Sequence, residues 1–570
     1  MKENQVSKND MKRPFLTWKE FRQRLRWRNI RQWMKTNRKN LLEKGMAALF
    51  FVAACASILA VALICIFIFQ GGYEAISQIG LFEFLGGTRW KPTADPPSFG
   101  IFPMIMGSIY VTGGAILIGV PIGILSAIFM ARFCPKRLYR WLKPAFELLA
   151  GIPSIVYGFF GLMVGYVIYT IPVAFLLIHN TMGFVDKKTL TVSKVMGDKA
   201  LSTFWIAVLR PLLGTFAGAF IQAFFLCFTD FGIPASVGGG YEVIATLLYN
   251  QMLGGIPDFN RGAVIAMVML IPSIGSICIL QILERFNIRY SRISNADLRK
   301  NSLRDVGWGL SGTVISAGIL AIFAVIFVVP TVEEWPYQTE FSLEHFQTVL
   351  SDSSLLAAYG HSLLMALLTA AAGTLIAYGA ALITARSNLG RGYKRTIESI
   401  ALVTNAIPGM VLGVAYLFLF SGTSLQNTLL LMVLCNIVHY FSTPYLMMKN
   451  ALSKMNAGWE TTAMLMGDSW LKTILRVVTP NALSSLIEVF SYYFINSMVT
   501  ISALIFIAGA RTMVLTTMIK QLQYVNRFNE VFVLSLLILA TNLAAKALFS
   551  WLAGYRSKHS PKITKKEGIK

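Results

Sequence analysis

From Met46 to Phe69 the chain runs without one charged residue, long enough to cross a bilayer. A helix rises about 1.5 Å per residue, so about 20 apolar residues cover the hydrocarbon core. Lipid offers backbone N–H and C=O groups no partner, so a chain built from such runs crosses as helices. Twelve spans are expected, at about 46–70, 103–130, 143–162, 165–182, 206–229, 262–284, 308–330, 359–385, 400–420, 427–447, 484–506 and 529–552. Composition agrees: 55% of the 570 residues are hydrophobic and 14% charged, too little charge to solvate a globular surface of this size.

Basic residues fix an orientation, because loops rich in Lys and Arg stay on the cytoplasmic side. With both termini inside, 44 of the 51 Lys and Arg fall in or beside inside segments, and six fall outside: Arg89, Lys91, Arg261, Arg511, Lys520 and Arg527. Lys546 remains within the last span. A missed span would scramble this alternation. The basic N-terminal arm, 1–45, interleaves Arg with Trp27, Ile30 and Trp33, which suits a helix lying on anionic lipid. Nucleic-acid binding is the other reading of such an arm, and it is not expected here. The six Cys show no metal-ligand spacing, and no metal site is expected.

The two halves echo one another. "AGIPSIVYGFFGL" near residue 150 answers "NAIPGMVLGVAYL" near 405, and Met-Gly-Asp occurs at Gly197-Asp198 and again at Gly467-Asp468. The expected division is an arm (1–45), a first repeat (46–284), a cytoplasmic linker (285–307), a second repeat (308–552) and a basic tail (553–570). Six spans per repeat give both repeats the same orientation, with a pathway along an axis normal to the membrane. Pro153 and Pro408 are expected to kink their spans, either as structural bends or as pathway lining.

Between two spans on the inside lies "AGWETTAMLMGDSWLKTILRVVTP" from Ala457, too polar to cross. Glu460 falls in the first turn of a short helix, where the dipole favours an anion, and Gly467 ends that helix with positive φ. This segment resembles the EAA loop of ABC-importer permeases, which docks on an ATP-binding subunit. Glu460, Thr461, Thr462 and Ala463 stand for its acid and small residues, Gly467 for its glycine, and Asp468 follows. In the first half Thr191, Val192 and Ser193 occupy the place of acid and alanines, and only Gly197 is kept. "FTDFGIPASVGGGYEVIATLLYNQM" from Phe228 and "INSMVTISALIFIAG" from Ile495 resemble fused permeases of the ferric-iron and 2-aminoethylphosphonate group. The resemblance implies an all-α type-1 permease fold in two tandem six-helix repeats.

Polar residues inside spans are the candidates for a pathway, because each is costly in lipid. They are Gln222, Thr229 and Asp230 in the first half, and Tyr493, Asn496, Ser497 and Thr500 in the second. Asp230 reads either as a site residue or as a solvated acid at a helix end, and the second-half stripe either as lining or as helix–helix bonding. Gly238, Gly239 and Gly240 read either as anion-binding backbone or as a bare turn. No Gly-Lys dipeptide occurs, so no phosphate-binding loop of the usual kind exists. The chain is expected to be a non-enzymatic permease subunit that binds no cofactor. The resemblance implies ATP on a separate, homodimeric ATP-binding cassette subunit, an external solute-binding protein and a bacterial inner-membrane location. The expected cargo is 2-aminoethylphosphonate, with ferric iron or another oxyanion second. An ion-coupled secondary transporter is a further alternative, disfavoured by how few acids the spans contain.

Overall fold

The computed structural model describes residues 66–559, apart from 67, 183–191, 194, 200–201, 203–204, 206–209, 238–240, 285–301, 336, 388–389, 405–406 and 457. The basic arm, most of the first expected span, most of the linker and tail, and Gly238 to Gly240 lie outside the described residues. The rest is a helical bundle with two small antiparallel hairpins, β1 (Trp90–Lys91) with β2 (Ser98–Phe99) and β3 (Val332–Glu334) with β4 (Gln338–Phe341).

After a short helix at Leu81–Gly86, a first run comprises α1 (Phe102–Arg132), α2 (Lys136–Leu149), α3 (Ser154–Tyr157), α4 (Leu162–Met182), α5 (Arg210–Phe228), α6 (Gly232–Val237), α7 (Ile244–Leu253) and α8 (Phe259–Glu284). After α9 (Ser302–Val328) a second run follows: α10 (Ser353–Arg386), α11 (Arg391–Thr404), α12 (Gly409–Phe420), α13 (Leu429–His439) and α14 (Ser442–Ser453). It continues through α15 (Gly458–Leu465), α16 (Trp470–Thr473), α17 (Thr479–Val499), α18 (Leu504–Ile507), α19 (Leu515–Tyr524) and α20 (Phe528–His559). Asp352 caps α10 by accepting from the N–H groups of Ser354 and Leu355. The Ser354 hydroxyl, then its backbone N–H, hold the Asp352 carboxyl below its ordinary range.

Among the described residues six helices are long and apolar enough to cross a membrane, and the pair α13–α14, bent by 55°, could be a seventh. The chain is a multi-pass membrane protein. It departs from the expected span list at the prolines and at the helix breaks. Pro153 and Pro408 do not kink a helix: each is the extended N-cap residue of a new one, α3 and α12. Proline has no N–H to give a preceding turn, and it disfavours helix in the residue before it. The stretches expected as spans 143–162 and 400–420 therefore begin in the amphipathic helices α2 and α11, break, and resume as short buried helices. The expected span 484–506 also stops early, since α17 ends at Val499 and Thr500 is extended.

Small residues let the long helices close up. A Cβ at Gly123 would stand 2.7 Å from the Cβ of Ala174 and 2.8 Å from the Ile171 carbonyl, so α1 and α4 meet backbone to backbone. On α10, a Cβ at Gly373 would press within 2.7 Å of the Tyr493 ring on α17.

Several contacts recur in order along the two runs. The N–H of Ile244 at the start of α7 donates to Ser108 Oγ on α1 (2.9 Å), and that of Leu515 at the start of α19 donates to Ser362 Oγ on α10 (2.7 Å). Val243 N–H donates to Thr246 Oγ1 and Val514 N–H to Thr517 Oγ1, both at 3.1 Å. The two runs also grip each other. Lys520 donates to the Ala235 carbonyl (2.6 Å) and Gln523 to that of Ser236, so α19 holds the end of α6. Asn542 donates to the Gly151 carbonyl (3.2 Å) and Lys546 pairs with Glu147 (2.5 Å), joining α20 to the α2 end.

Candidate functional site

Both proline breaks and the C-terminal ends of α5 and α17 face one cavity of about 700 Å³. From the first run come Ser154, Tyr169, Asn180, Gln222, Thr229 and Asp230; from the second come Gly409, His439, Tyr440, Tyr492, Asn496 and Thr500. The cavity starts at the breaks after α5 and α17. It then runs along α4 to Asn180 and along α14 to Met447, toward the ends that lead into the Met-Gly-Asp segments. No Lys or Arg lines it among the described residues; Asp230 is its one carboxylate.

Asp230 is 8% exposed and is not a solvated helix-end acid. Helix α5 stops at Phe228, and the Asp230 carboxylate turns back onto the start of α6. There it accepts from Ile233 N–H (2.9 Å), from Gly232 N–H and from the Ser154 hydroxyl. These donors fix the side chain at the wall of a buried cavity and satisfy its oxygens there. In the second run Thr500 holds the neighbouring place at the α17 end. Its hydroxyl shares a 2.6 Å hydrogen bond with that of Tyr440, and it also lies 2.7 Å from the Asn496 carbonyl.

Of the seven expected pathway residues, Gln222, Thr229, Asp230, Asn496 and Thr500 line this cavity, while Tyr493 and Ser497 are absent from its lining. Tyr493 is fully buried against Gly373 and Ser497 is 1% exposed, so both belong to helix packing. Tyr169, His439, Tyr440 and Tyr492 line the cavity without having been singled out by the sequence pattern. Tyrosines in apolar runs give no signal until the crossing helices decide which face meets a cavity. Asn436 is fully buried beside Met365 of α10, as an inter-helix residue.

The second part of the site is the segment around α15. The helix ends at Leu465, and Gly467 follows with φ 82°; Asp468 N–H reaches back to the Ala463 carbonyl (2.9 Å), closing the turn. Leu465 and Met466 are 85% and 79% exposed at its tip. Thr461 and Thr462 are exposed and Ala463 is half-buried. Asp468 pairs with Lys472 on α16. Glu460 does lie in the first turn, but its partner is a side chain: Arg386 at the end of α10 meets it at 2.7 and 2.9 Å. In the first run Gly197 has φ 77°, Asp198 N–H donates to the Ser193 carbonyl (3.1 Å), and Val195 and Met196 are exposed.

Residues 373–555 match the family of binding-protein-dependent transport system inner membrane components. A ferric transport system permease protein of Actinobacillus pleuropneumoniae is 24% identical over 414 residues, covering 70% of this chain and 59% of the relative. A probable ABC transporter permease protein of Bacillus subtilis is 40% identical over 133 residues, 23% of this chain and 43% of the relative. A phosphate transport system permease protein of Mesorhizobium japonicum is 45% identical over 101 residues, 18% of this chain and 30% of the relative. The alignments thus span less than two thirds of each relative's length. The match to membrane components of binding-protein-dependent transport thus lies in residues 373–555, and over more of its length the chain is similar to transport permease proteins.

Proposed function

We propose that this chain forms the solute pathway of an ATP-driven importer, built as two tandem six-span repeats with both termini in the cytoplasm of a bacterial cell. An external binding protein delivers the solute. ATP is bound and hydrolysed by separate cassette subunits, as a homodimer, which dock on the segments around Gly197 and Gly467; this chain itself holds no cofactor. The coupling residues are Glu460, Thr461, Thr462, Ala463, Gly467 and Asp468, with Gly197 and Asp198 in the first repeat.

The observation that carries the cargo assignment is the charge of the cavity: one fixed carboxylate, Asp230, and no lining cation among the described residues. A low-dielectric cavity of that sign favours a cation over a bare oxyanion. Ferric iron, free or in a small complex, therefore ranks above a phosphonate. The name of the ferric permease relative agrees with that ranking. The second reading is 2-aminoethylphosphonate, whose ammonium group can face Asp230 and whose permeases the "TDFGIPASVGGGYEVIAT" run resembles. Uptake of radioactive iron and of labelled aminoethylphosphonate, in cells with and without the gene, separates the two. Loss of iron uptake alone supports the first; loss of phosphonate uptake alone reverses the ranking. The topology is checked with an impermeant thiol reagent. A cysteine placed at 340 should react in intact cells, and one at 391 only after lysis; labelling of 391 from outside removes the twelve-span map.

A further inference from the structure

Arg386 is the last residue of α10, and its side chain is 3% exposed. Its guanidinium meets four acceptors on the segment that begins at the end of α14. Nε and Nη2 lie 2.7 and 2.9 Å from the two carboxylate oxygens of Glu460 on α15. Nη1 and Nη2 also donate to the carbonyls of Met455 (3.0 Å) and Asn456 (2.9 Å), just past α14. The backbone carbonyl of Arg386 accepts from Trp470 Nε1 of α16 (3.3 Å). One residue thus ties α10 to α15 on one side of the Gly467 turn and to α16 on the other. The pair makes one hydrogen bond, Nη2 to Oε2, with Nε and Oε1 in ionic contact beside it, and the two backbone carbonyls hold the guanidinium from its other edge. The same end of α10 is tied to the cavity wall, since Tyr445 of α14 donates to Thr384 Oγ1 (3.1 Å) and the hydroxyls of Tyr378 and Thr479 meet at 2.7 Å. Helices α14 and α17 carry Ser442, Thr443, Met447, Tyr492 and Asn496 of the cavity.

Resting on the importer reading above, we infer that Arg386 is a positioning residue that transmits displacement of α15 to the cavity-lining helices, and that Glu460 acts through Arg386 inside this chain. The α15 carboxylate is engaged internally, which leaves the exposed Leu465 and Met466 at the tip to meet a partner. A force on that tip is then passed through Glu460 and Arg386 to α10 and to the end of α14.

The test is a double-mutant cycle in the complete transporter, purified with its ATP-binding subunits and reconstituted in vesicles. The readout is solute transported per ATP hydrolysed, normalised to assembled complex. Arg386→Gln and Glu460→Gln each leave the partner's charge unmatched, Glu460 half-buried or Arg386 buried, and should each lower the ratio about tenfold. The double variant Arg386→Gln/Glu460→Gln should transport no less than either single variant, because no buried charge is stranded. Losses that multiply in the double variant overturn the inference, since Glu460 would then act independently of Arg386. An unchanged ratio in Arg386→Gln overturns it too, even where less complex assembles, since the pair would serve folding alone. A wild-type chain that shows no ATP-driven transport refutes instead the importer reading on which the inference rests.

Discussion

The segments around Gly197 and Gly467 end alike and begin differently. Both close a helix end with a glycine at positive φ, and in both the following aspartate N–H bonds back five residues, to Ser193 or to Ala463. Both present two apolar side chains to solvent just before the glycine, Val195 with Met196 and Leu465 with Met466. Seven residues before the glycine, however, stands Glu460 in one and Leu190 in the other. Helices α1 and α10 both end in Arg, at Arg132 and Arg386, yet only the second segment supplies an acid at this distance from its glycine. Shape at the tip is thus shared, and among the described residues an anchor through a carboxylate, Glu460 on Arg386, is seen in the second segment. A partner that grips both tips meets similar surfaces but pulls on unequal connections.

Proline at the two glycines tests the shared feature. Proline fixes φ near −65°, while Gly467 and Gly197 stand at 82° and 77°. The local backbone cost is the same at both, so any difference in function reports the connection behind the tip. Gly467→Pro is expected to abolish uptake, and Gly197→Pro to reduce it less, measured as initial uptake rate at matched membrane expression. Equal loss at both sites would erase the proposed inequality. Glu460→Lys is the next strongest change. It sets an ammonium against the Arg386 guanidinium where the pair now meets at 2.7 Å, with the arginine almost fully buried. Breaking a buried pair costs about 3–5 kcal/mol. Uptake should fall by more than tenfold, while Thr461→Lys, exposed one residue on, should leave it within about twofold. Matching losses at the two positions would mean that surface charge, not the pairing with Arg386, is what matters.

These segments also mark where the sequence is readable. The Met-Gly-Asp turn is a local device, and its glycine conformation follows from neighbours in the chain. The long apolar helices are readable for the same reason. What could not be read depends on which helix lies opposite. Of the stripe expected on α17, Asn496 and Thr500 line the cavity together with Tyr492, whereas Tyr493 and Ser497 turn into helix packing. One residue is 100° of rotation on a helix, and only the crossing of α10 at Gly373 settles the choice. The Arg386–Glu460 pair joins residues 74 apart with no pattern linking them. The proline breaks were visible, but their effect was misjudged. A proline inside an apolar run suggests a bent span, whereas α2 and α11 are separate helices whose chains restart at Pro153 and Pro408.

The smallest effect expected concerns those restarts, where the two runs solve one packing problem with exchanged residues. Ser154 follows the first proline and packs on Gly232 at the start of α6; Gly409 follows the second and packs on Ser502, just before α18. Each pair has room for one side chain. An added Cβ at Gly409 would collide with the Ser502 hydroxyl, and its other close neighbours, Ser502 Cβ and His439 Cε1, lie at 3.2 Å. An added Cβ at Gly232 would collide with the Ser154 hydroxyl and would also stand 2.5 Å from the backbone nitrogen of Ile155. Overpacking of this kind costs about 1–3 kcal/mol. Gly409→Ala should therefore lower the melting temperature of the detergent-purified protein, and adding Ser502→Gly should restore most of it, because the colliding atoms belong to that side chain. Gly232→Ala should lower it as well, but adding Ser154→Gly should restore little, because the Ile155 backbone remains in the way. The Gly232–Ser154 pair also loses a hydroxyl donor to Asp230, which adds to the deficit. Equal recovery in both pairs would show that the Ile155 backbone yields as easily as a serine side chain, and that the two breaks are interchangeable in packing.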